Sequence, residues 1–206
     1  MTHLNLKGLI LAGGLATRFG GGKCLARLKN RSLISLVKVA ISPFCGEIWL
    51  SLRPGMKIRP FKEFFQDKLI VFDENPGAGP AGAIYSALKT GVGNTFLVVP
   101  CDQPFLKKAL LQLLIKTFEE DPFLEALAFS DEKGRLLPFP GIYRKGLPSG
   151  SVRRIFKHCK SKIISAKRWR IYDPEGLSFF NINRREDLQK AAKLLEKYPE
   201  LCRSNI

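Results

Sequence analysis

Histidine is scarce in this sequence of 206 residues, and long apolar runs are missing from it. The two histidines are His3 and His158, which argues against histidine as the general base of an enzyme. No apolar run reaches the roughly 18 residues that a membrane-spanning helix requires, and the first residues lack the apolar core of a signal peptide. We therefore expect a cytoplasmic protein without a membrane segment.

Cysteine is also limited, since the chain has five cysteines and no C-x-x-C pair. Their positions are Cys24, Cys45, Cys101, Cys159 and Cys202. An odd number without close pairs fits neither a disulfide framework nor a zinc site. The sequence therefore predicts free thiols in a reducing compartment.

Acidic residues number 18 against 34 lysines and arginines, which gives a formal net charge of +16. Such a surface attracts polyanions, and nucleic acid, nucleotides and phosphorylated small molecules are all candidates. Nucleic acid is the weakest candidate, because aromatic-rich binding motifs of the RRM kind are missing. The segment from Arg153 to Arg170 holds eight basic residues and no acidic ones. We interpret most of it as a solvated surface, with docking of an anionic ligand or an acidic protein as the alternative.

Apolar segments of strand length alternate along the chain with segments of helical periodicity. The predicted strands are 9–12, 47–52, 69–72, 94–99 and 125–129, and the predicted helices are 33–41, 81–89, 106–118 and 187–198. This alternation is typical of βα repeats, in which helices cover both faces of a parallel sheet. We therefore predict an α/β protein with a Rossmann-like three-layer α/β/α architecture and a mostly parallel central sheet. We expect residues 1–206 to form one domain, although the Gly- and Pro-rich stretch up to Gly150 receives no assignment.

A glycine-rich turn follows the first predicted strand. Gly13 and Gly14 come directly after the strand, and Arg18 and Lys23 then add two basic side chains. Exposed backbone N–H groups in such a turn form a site for anions, and the two side chains contribute positive charge to it. The spacing is neither that of a P-loop nor that of the dinucleotide fingerprint. The turn therefore predicts a polyphosphate site of another kind.

Ligands of parallel sheets bind at the carboxyl ends of the strands, where the following loops meet. This rule brings together residues 13–23, the loop near Arg53, residues 73–82 and residues 101–104. Asp102 is the candidate for a Mg²⁺ ligand, since Mg²⁺ usually binds one or two carboxylates and completes its shell with waters and phosphate oxygens. Its alternative role is to cap the helix that opens near residue 106.

Three further positions each have a functional and a structural interpretation. Asp73 ends another strand, and it either contacts the ligand or forms a turn. Gly79 to Gly82 form either a wall for a flat base or the start of a helix with proline in its first turn. Asn183 and Glu186 have the spacing of a capping box at the start of the last helix, which is compatible with a binding role for Asn183.

The chain resembles the molybdenum cofactor guanylyltransferase family of nucleotidyltransferases from about Leu9 to Leu195. The matching motifs are Leu-Ala-Gly-Gly followed by Arg18 and Lys23, then Gly79-Pro-Ala-Gly82, Pro100-Cys-Asp-Gln-Pro-Phe105 and Phe180-Asn-Ile-Asn-Arg-Arg-Glu-Asp-Leu188. The chain departs from the family pattern at Gly22, where an acidic residue is common, and at Leu52-Arg53, where Asn is common.

The resemblance implies an enzyme that binds GTP, Mg²⁺ and molybdopterin. The nucleotide and metal contacts that it implies are Leu11, Ala12, Gly13, Gly14, Lys23, Asp73 and Asp102. Gly79 and Gly82 are expected to border the guanine, and Asn181 and Asn183 are expected to face the pterin. Cofactor-insertion proteins and acceptor molybdoenzymes are the implied protein partners.

In the implied reaction, the terminal phosphate of molybdopterin attacks the α-phosphorus of GTP and pyrophosphate leaves. The attacking phosphate is already anionic, so catalysis rests on positioning and charge neutralisation. The expected catalytic residues are Arg18 and Lys23, which stabilise pyrophosphate, and Asp102, which holds the metal. Three alternatives stay open: a related enzyme that uses CTP or a sugar phosphate, a nucleic-acid-binding protein, and a homologue that binds nucleotide without turnover.

Overall fold

The computed structural model describes residues 5–14, 19, 21–91 and 93–198. Its strands are β1 (Lys7–Leu11), β2 (Arg27–Leu28), β3 (Arg31–Ser32), β4 (Ile48–Leu52), β5 (Ile70–Phe72), β6 (Thr95–Pro100), β7 (Ala126–Ser130), β8 (Leu136–Arg144) and β9 (Ser161–Ile164). Its α-helices are α1 (Leu33–Ile41), α2 (Pro80–Lys89), α3 (Lys108–Glu119), α4 (Val152–His158), α5 (Ala166–Trp169) and α6 (Arg185–Lys197).

Seven strands of the described part of the chain form a central sheet in the order β5-β4-β1-β6-β8-β7-β9. The first strand lies inside this sheet and pairs in parallel with both β4 and β6. β8 runs antiparallel to its two neighbours, whereas β9 pairs in parallel with β7. β2 and β3 form a separate two-stranded ribbon. The predicted α/β class with a mostly parallel sheet is therefore confirmed.

Helices cover both faces of the sheet, because successive side chains of a strand point to opposite faces. Ile10 of β1 belongs to a buried cluster with apolar residues of α1, α3 and α5. Leu9, the neighbouring residue, belongs to a second buried cluster with residues of α2 and α4. These two clusters make the three-layer arrangement predicted from the sequence. A third cluster joins α6 to α1 through Ala191 and Leu195, outside these layers.

The elements predicted from the sequence are present, and most of their ends are shifted by one or two residues. The Ser32 side chain accepts a hydrogen bond from the Ser35 backbone N–H at 3.4 Å, so it caps α1. The unassigned stretch before Gly150 contains β8, which was not predicted and lies between β6 and β7. None of the helices in the described residues combines the length and the apolar character needed to span a bilayer.

Strand pairing continues just beyond the carboxyl ends of the parallel strands. The Ala12 backbone N–H donates to the Ser51 carbonyl at 2.9 Å, and the Asp73 N–H donates to the Leu52 carbonyl at 2.8 Å. The Cys101 N–H donates to the Leu11 carbonyl at 3.1 Å. These bonds hold the loops after β1, β4, β5 and β6 side by side at one edge of the sheet.

Candidate active site

A cavity of about 760 Å³ lies at this edge of the sheet. The loops after β1, β4, β5 and β6 line it together with the start of β8 and the segment near Asn181. The four segments that the strand-end rule predicted to meet are thus brought together. A cavity of this size lies in the range of small-molecule and cofactor sites.

Lys23 and Asp102 form an ion pair in the wall of the cavity. The Lys23 Nζ donates to Asp102 Oδ2, and it also donates to Asn183 Oδ1 at 3.3 Å. The Lys23 and Asp102 side chains are 16% and 13% exposed, so water screens the pair only in part. Lys23 opens a short 3-10 helix, Lys23–Leu25, directly after Gly22, whose φ is 61°. The structure therefore joins three residues that are far apart in the sequence and that were each predicted to be site residues.

Asp102 does not cap a helix, because α3 begins at Lys108 with Lys107 as its N-cap residue. Its Oδ2 is held by Lys23, whereas its Oδ1 is buried and has no hydrogen-bond partner among the described residues. A buried carboxylate oxygen without a partner is costly unless a ligand completes its coordination. This arrangement fits a hard cation such as Mg²⁺, which prefers oxygen ligands.

Asp73 is buried and lines the cavity, and one of its oxygens is used locally. Asp73 Oδ1 accepts a hydrogen bond from the Asn75 backbone N–H at 2.9 Å, which is a turn-forming contact. The structural interpretation of Asp73 is therefore present in the fold. Its position in the cavity wall keeps a ligand contact available to the same side chain.

The first residues of the glycine-rich turn lie in the cavity wall as predicted. Leu11, Ala12, Gly13 and Gly14 all line it. A Cβ on Gly13 would lie 2.9 Å from the Arg53 backbone nitrogen, so glycine allows the loops after β1 and β4 to touch. A Cβ on Gly14 would meet no atom within 4 Å. The backbone at Gly14 is therefore open to a ligand.

Arg18, the basic residue predicted to act together with Lys23, lies outside the described residues.

Gly79 and Gly82 have different positions, although both were expected to border a base. Gly79 lines the cavity and is the N-cap residue of α2 with a φ of 61°. Gly82 is buried behind the cavity wall, where a Cβ would lie 2.2 Å from the Asn75 carbonyl oxygen and 2.7 Å from Asp73 Oδ1. Gly82 thus permits close packing of α2 on the Asp73 turn. The expectation that it borders a base is corrected to this structural role.

Replacing Gly82 with alanine is expected to lower the free energy of unfolding by about 2–3 kcal/mol, because the added methyl group overpacks against a backbone carbonyl. Thermal melting measures this loss. Gly46→Ala is the control, since a Cβ at Gly46 meets nothing within 4 Å. A Gly82→Ala protein with native melting that binds nucleotide poorly would restore the base-binding interpretation.

Asn181 and Asn183 both reach the site, but through different contacts. Asn181 lines the cavity, and its Nδ2 donates to the Phe179 carbonyl at 3.0 Å. Asn183 contacts Lys23 through its side chain. The Ile182 N–H between them donates to the Asp102 carbonyl at 2.9 Å, which fixes this segment beside the end of β6.

The predicted capping box at Asn183 and Glu186 is wrong by one residue. α6 begins at Arg185, and Asp187 Oδ2 accepts from the backbone N–H groups of Asn183 and Arg184, both at 2.9 Å. The Asn183 side chain is therefore left free to contact Lys23. The two N–H donors, with that of Asn183 first, lower the pKa of the Asp187 carboxyl below its ordinary value.

Replacing Asp187 with alanine is expected to cost about 1 kcal/mol of stability through the lost cap. Asp187→Asn keeps an acceptor oxygen and loses only the charge. Because the native pKa of Asp187 is lowered, the stability difference between the wild type and Asp187→Asn has its largest value above the ordinary Asp pKa. It disappears as pH falls through the lowered native pKa. Thermal melting over a pH series measures it, and a difference that grows on acidification would contradict the assignment.

The basic segment between Arg153 and Arg170 lies elsewhere. All eight of its basic residues are in the described part of the chain, and none of them lines the cavity. Some have partners on neighbouring elements, since Lys160 pairs with Asp121 and Arg170 pairs with Glu132. The surface interpretation of this segment is consistent with its position.

Sequence reasoning missed several parts of the cavity. Cys24 and Cys101 form a disulfide bond, which corrects the prediction that the cysteines are free thiols, while Cys45 and Cys159 are free. Ser51 Oγ and Gln103 Oε1 are buried beside the cavity and have no partner among the described residues. An apolar wall comes from residues 137–139 and Phe179. A polar residue near the end of an apolar strand was the available signal for Ser51.

Comparison with known proteins gives consistent matches over most of the chain. A protein from Halalkalibacterium halodurans named probable molybdenum cofactor guanylyltransferase is 28% identical, with 92% of this chain and 99% of that protein covered. A protein of the same name from Chloroflexus aggregans is 29% identical, with 95% and 96% covered. The crystal structure of molybdopterin-guanine dinucleotide biosynthesis protein A from Archaeoglobus fulgidus has the same fold, with a TM-score of 0.74, 24% identity and coverage of 93% and 99%.

The family model described as the MobA-like NTP transferase domain matches residues 8–170. This range begins within β1 and includes Lys23, Asp73 and Asp102, three residues of the cavity wall. The match confirms the family resemblance found in the sequence motifs and identifies the chain as a nucleotidyltransferase. The chain therefore belongs to the MobA-like NTP transferase family.

Proposed function

We propose that the chain transfers GMP from GTP to molybdenum cofactor, releasing pyrophosphate and forming molybdopterin guanine dinucleotide. The observation that carries the proposal is the pairing of Lys23 with Asp102 in a cavity at the carboxyl edge of the sheet. The names of the relatives from Halalkalibacterium halodurans and Chloroflexus aggregans support the choice of guanine and of molybdenum cofactor.

The nucleotide half of the cavity lies over the ends of β1, β4 and β5. The backbone at Gly13 and Gly14 faces the cavity and would bind the phosphates, with Lys23 at the far end of the same loop. Gly79 and the following proline, at the start of α2, would lie against the base. Arg18 remains a proposed second phosphate ligand on the strength of its motif alone.

Asp102 is the residue that would hold Mg²⁺, with Asp73 as a neighbouring carboxylate. No group of three or more His, Cys, Asp and Glu side chains in the described residues is arranged to hold a metal ion. A weakly held Mg²⁺ that completes its shell with waters and phosphate oxygens is consistent with that arrangement. When bound, the metal would neutralise charge on the phosphates.

The acceptor half lies over β6 and the start of β8, where the apolar wall at residues 137–139 and Phe179 suits a flat pterin ring. Asn181 offers a polar contact at its rim. The acceptor phosphate needs no protein base, because it is already anionic. The work of the chain is to place that phosphate in line with the bond to be broken and to stabilise the charge of the leaving group with Lys23.

Pyrophosphate release tests this function when each of the four nucleoside triphosphates is supplied with molybdopterin. We expect release with GTP and molybdopterin together, and little release with GTP alone. Faster release with CTP would favour an enzyme that transfers CMP, and release with a sugar phosphate as acceptor would favour a sugar-phosphate nucleotidyltransferase.

We propose that the product passes in the cytoplasm to cofactor-insertion proteins and acceptor molybdoenzymes. Pull-down of the chain with product bound would detect these partners.

A further inference from the structure

The disulfide bond between Cys24 and Cys101 lies inside the candidate site. The two residues are 77 positions apart, and their Cα atoms are 5.5 Å apart. Both are buried, and both line the cavity. Each is the direct chain neighbour of one member of the central ion pair, since Cys24 follows Lys23 and Cys101 precedes Asp102.

The two cysteines are anchored differently in the fold. Cys101 follows β6 directly, and its N–H donates to the Leu11 carbonyl at 3.1 Å. Cys24 belongs to the Lys23 turn (residues 21–25), in which the Leu25 N–H donates to the Gly22 carbonyl at 3.0 Å. The Lys23 turn begins with two glycines of positive φ, Gly21 at 88° and Gly22 at 61°. The disulfide is therefore a covalent tie between this glycine-rich turn and the edge of the sheet.

The tie holds Lys23 next to Asp102. In this arrangement, the ammonium group that would neutralise phosphate charge is engaged with Asp102 Oδ2. The same contact occupies one oxygen of the carboxylate that would hold the metal. A nucleotide phosphate would compete with Asp102 for the Lys23 ammonium group, and Lys23 acts fully on the phosphate only when it leaves Asp102. The disulfide fixes the turn from which Lys23 reaches Asp102, and an open bridge would let the turn carry the ammonium group toward a phosphate.

We propose that Cys24 and Cys101 form a redox-modifiable site, in which a dithiol reductant opens the disulfide and releases the Lys23 turn for nucleotide binding. The inference rests on the proposed function, because it assigns Lys23 and Asp102 to phosphate and metal. A reductant thiolate attacks one bridge sulfur and forms a mixed disulfide. The second thiol of the reductant then attacks the reductant sulfur of this mixed disulfide and releases the protein sulfur. The protein gains two electrons and two protons and now has two thiols, and the reductant leaves as its own disulfide.

Two other cysteines show why the pair is a selective site. Cys45 and Cys159 are free and lie outside the cavity. Burial raises the pKa of the Cys45 thiol to about 12, so it holds little reactive thiolate at neutral pH. Both bridge cysteines line the cavity, which is the side from which a reductant would approach. Bound nucleotide would lie over the Lys23 turn and shield them.

The test compares the whole protein after treatment with oxidised glutathione and after treatment with dithiothreitol. Calorimetry is expected to give about tenfold weaker MgGTP affinity for the oxidised form, because the tied turn keeps Lys23 on Asp102, whereas the released turn lets it follow the phosphate. Cys24→Ser should bind MgGTP equally in both conditions. Cys45→Ser and Cys159→Ser are the matched controls, and both should keep the full response to dithiothreitol. Mass spectrometry after alkylation counts the two thiols released from the bridge.

Shielding supplies a second readout, since MgGTP should slow reduction of the bridge by dithiothreitol. Equal MgGTP affinity of the oxidised and reduced wild type would overturn the inference, as would a Cys24→Ser protein that still responds to reductant. Failure of the proposed function has a different signature. In that case neither redox form binds MgGTP, although alkylation still shows the bridge opening and closing.

Discussion

Replacing Lys23 with alanine is expected to lower pyrophosphate release by about 100- to 1000-fold, the range found when one preorganised charge-stabilising donor is removed. The reason is that Lys23 lies in the cavity wall at the end of the glycine-rich turn, where its ammonium group contacts Asp102. The variant should also be less stable by about 1–3 kcal/mol, because the Asp102 carboxylate loses its partner. Single-turnover kinetics and thermal melting measure the two effects separately.

Lys62→Ala is the matched control, because it breaks an ion pair with Asp67 whose side chains are 57% and 60% exposed. Lys62 is not among the cavity-lining residues, so its loss should leave turnover and melting near native. Lys23→Arg keeps the charge but replaces a compact ammonium with a planar fork, and we expect this variant to be a poor enzyme as well. A folded Lys23→Ala protein with native turnover would remove Lys23 from the mechanism.

Replacing Asp102 with asparagine is expected to lower turnover by about 1000-fold, near the upper end of the effects seen for electrostatic groups of active sites. The substitution preserves the shape of the side chain and removes its charge. We expect the Mg²⁺-dependent part of GTP affinity to disappear in calorimetry with and without the metal. Melting should fall as well, because the ion pair with Lys23 is lost. The sequence alone did not indicate that loss.

The two partners of the pair can be separated by a double-mutant cycle. The double variant should lose less stability than the sum of the losses of Lys23→Ala and Asp102→Asn, because both substitutions remove the same contact. Asp67→Asn, from the exposed ion pair with Lys62, is the control for loss of a carboxylate. If Asp102→Asn turns over at the native rate, the metal is held elsewhere, and Asp73 becomes the first residue to test.

The location of the site was predictable because it depends on backbone topology. Parallel strands end at one edge of the sheet, so the loops that contain Gly13, Asp73 and Asp102 had to meet there. Apolar periodicity was sufficient to find β1, β4 and β6, and the edge followed from them. The motifs then indicated which side chains at that edge carry charge.

β8 was missed because its sequence contains features that normally argue against a strand. Pro138 and Pro140 have no N–H to donate, and Gly141 has no side chain to pack. The structure accommodates them at a register irregularity between Leu127 and Phe129 of β7. Gly141 is required there, because a Cβ would lie 2.5 Å from the Pro138 carbonyl oxygen. This accommodation depends on a partner strand and cannot be derived from residues 136–144 alone.

The disulfide bond and the position of Gly82 were not predictable for a related reason. Cys24 and Cys101 are separated by 77 residues, and an odd number of cysteines gives no pairing rule. Gly82 lies in a helix with proline in its first turn, so its sequence context allows both interpretations. The deciding contact is with the Asn75 carbonyl, which belongs to the preceding turn. Both features are decided by contacts between different segments of the chain, which the local sequence pattern does not contain.

The internal position of β1 also sets the order in which the protein can assemble during synthesis. One of its sheet neighbours is β6, whose first residue comes 84 positions after the last residue of β1. At a synthesis rate of roughly 5–20 residues per second, about 4–17 seconds pass between the synthesis of β1 and the start of β6. The Ile182 N–H reaches the Asp102 carbonyl later still. The phosphate end and the acceptor end of the cavity are therefore joined only after residue 182 has been synthesised, and ribosome-bound fragments ending before β6 should not retain GTP.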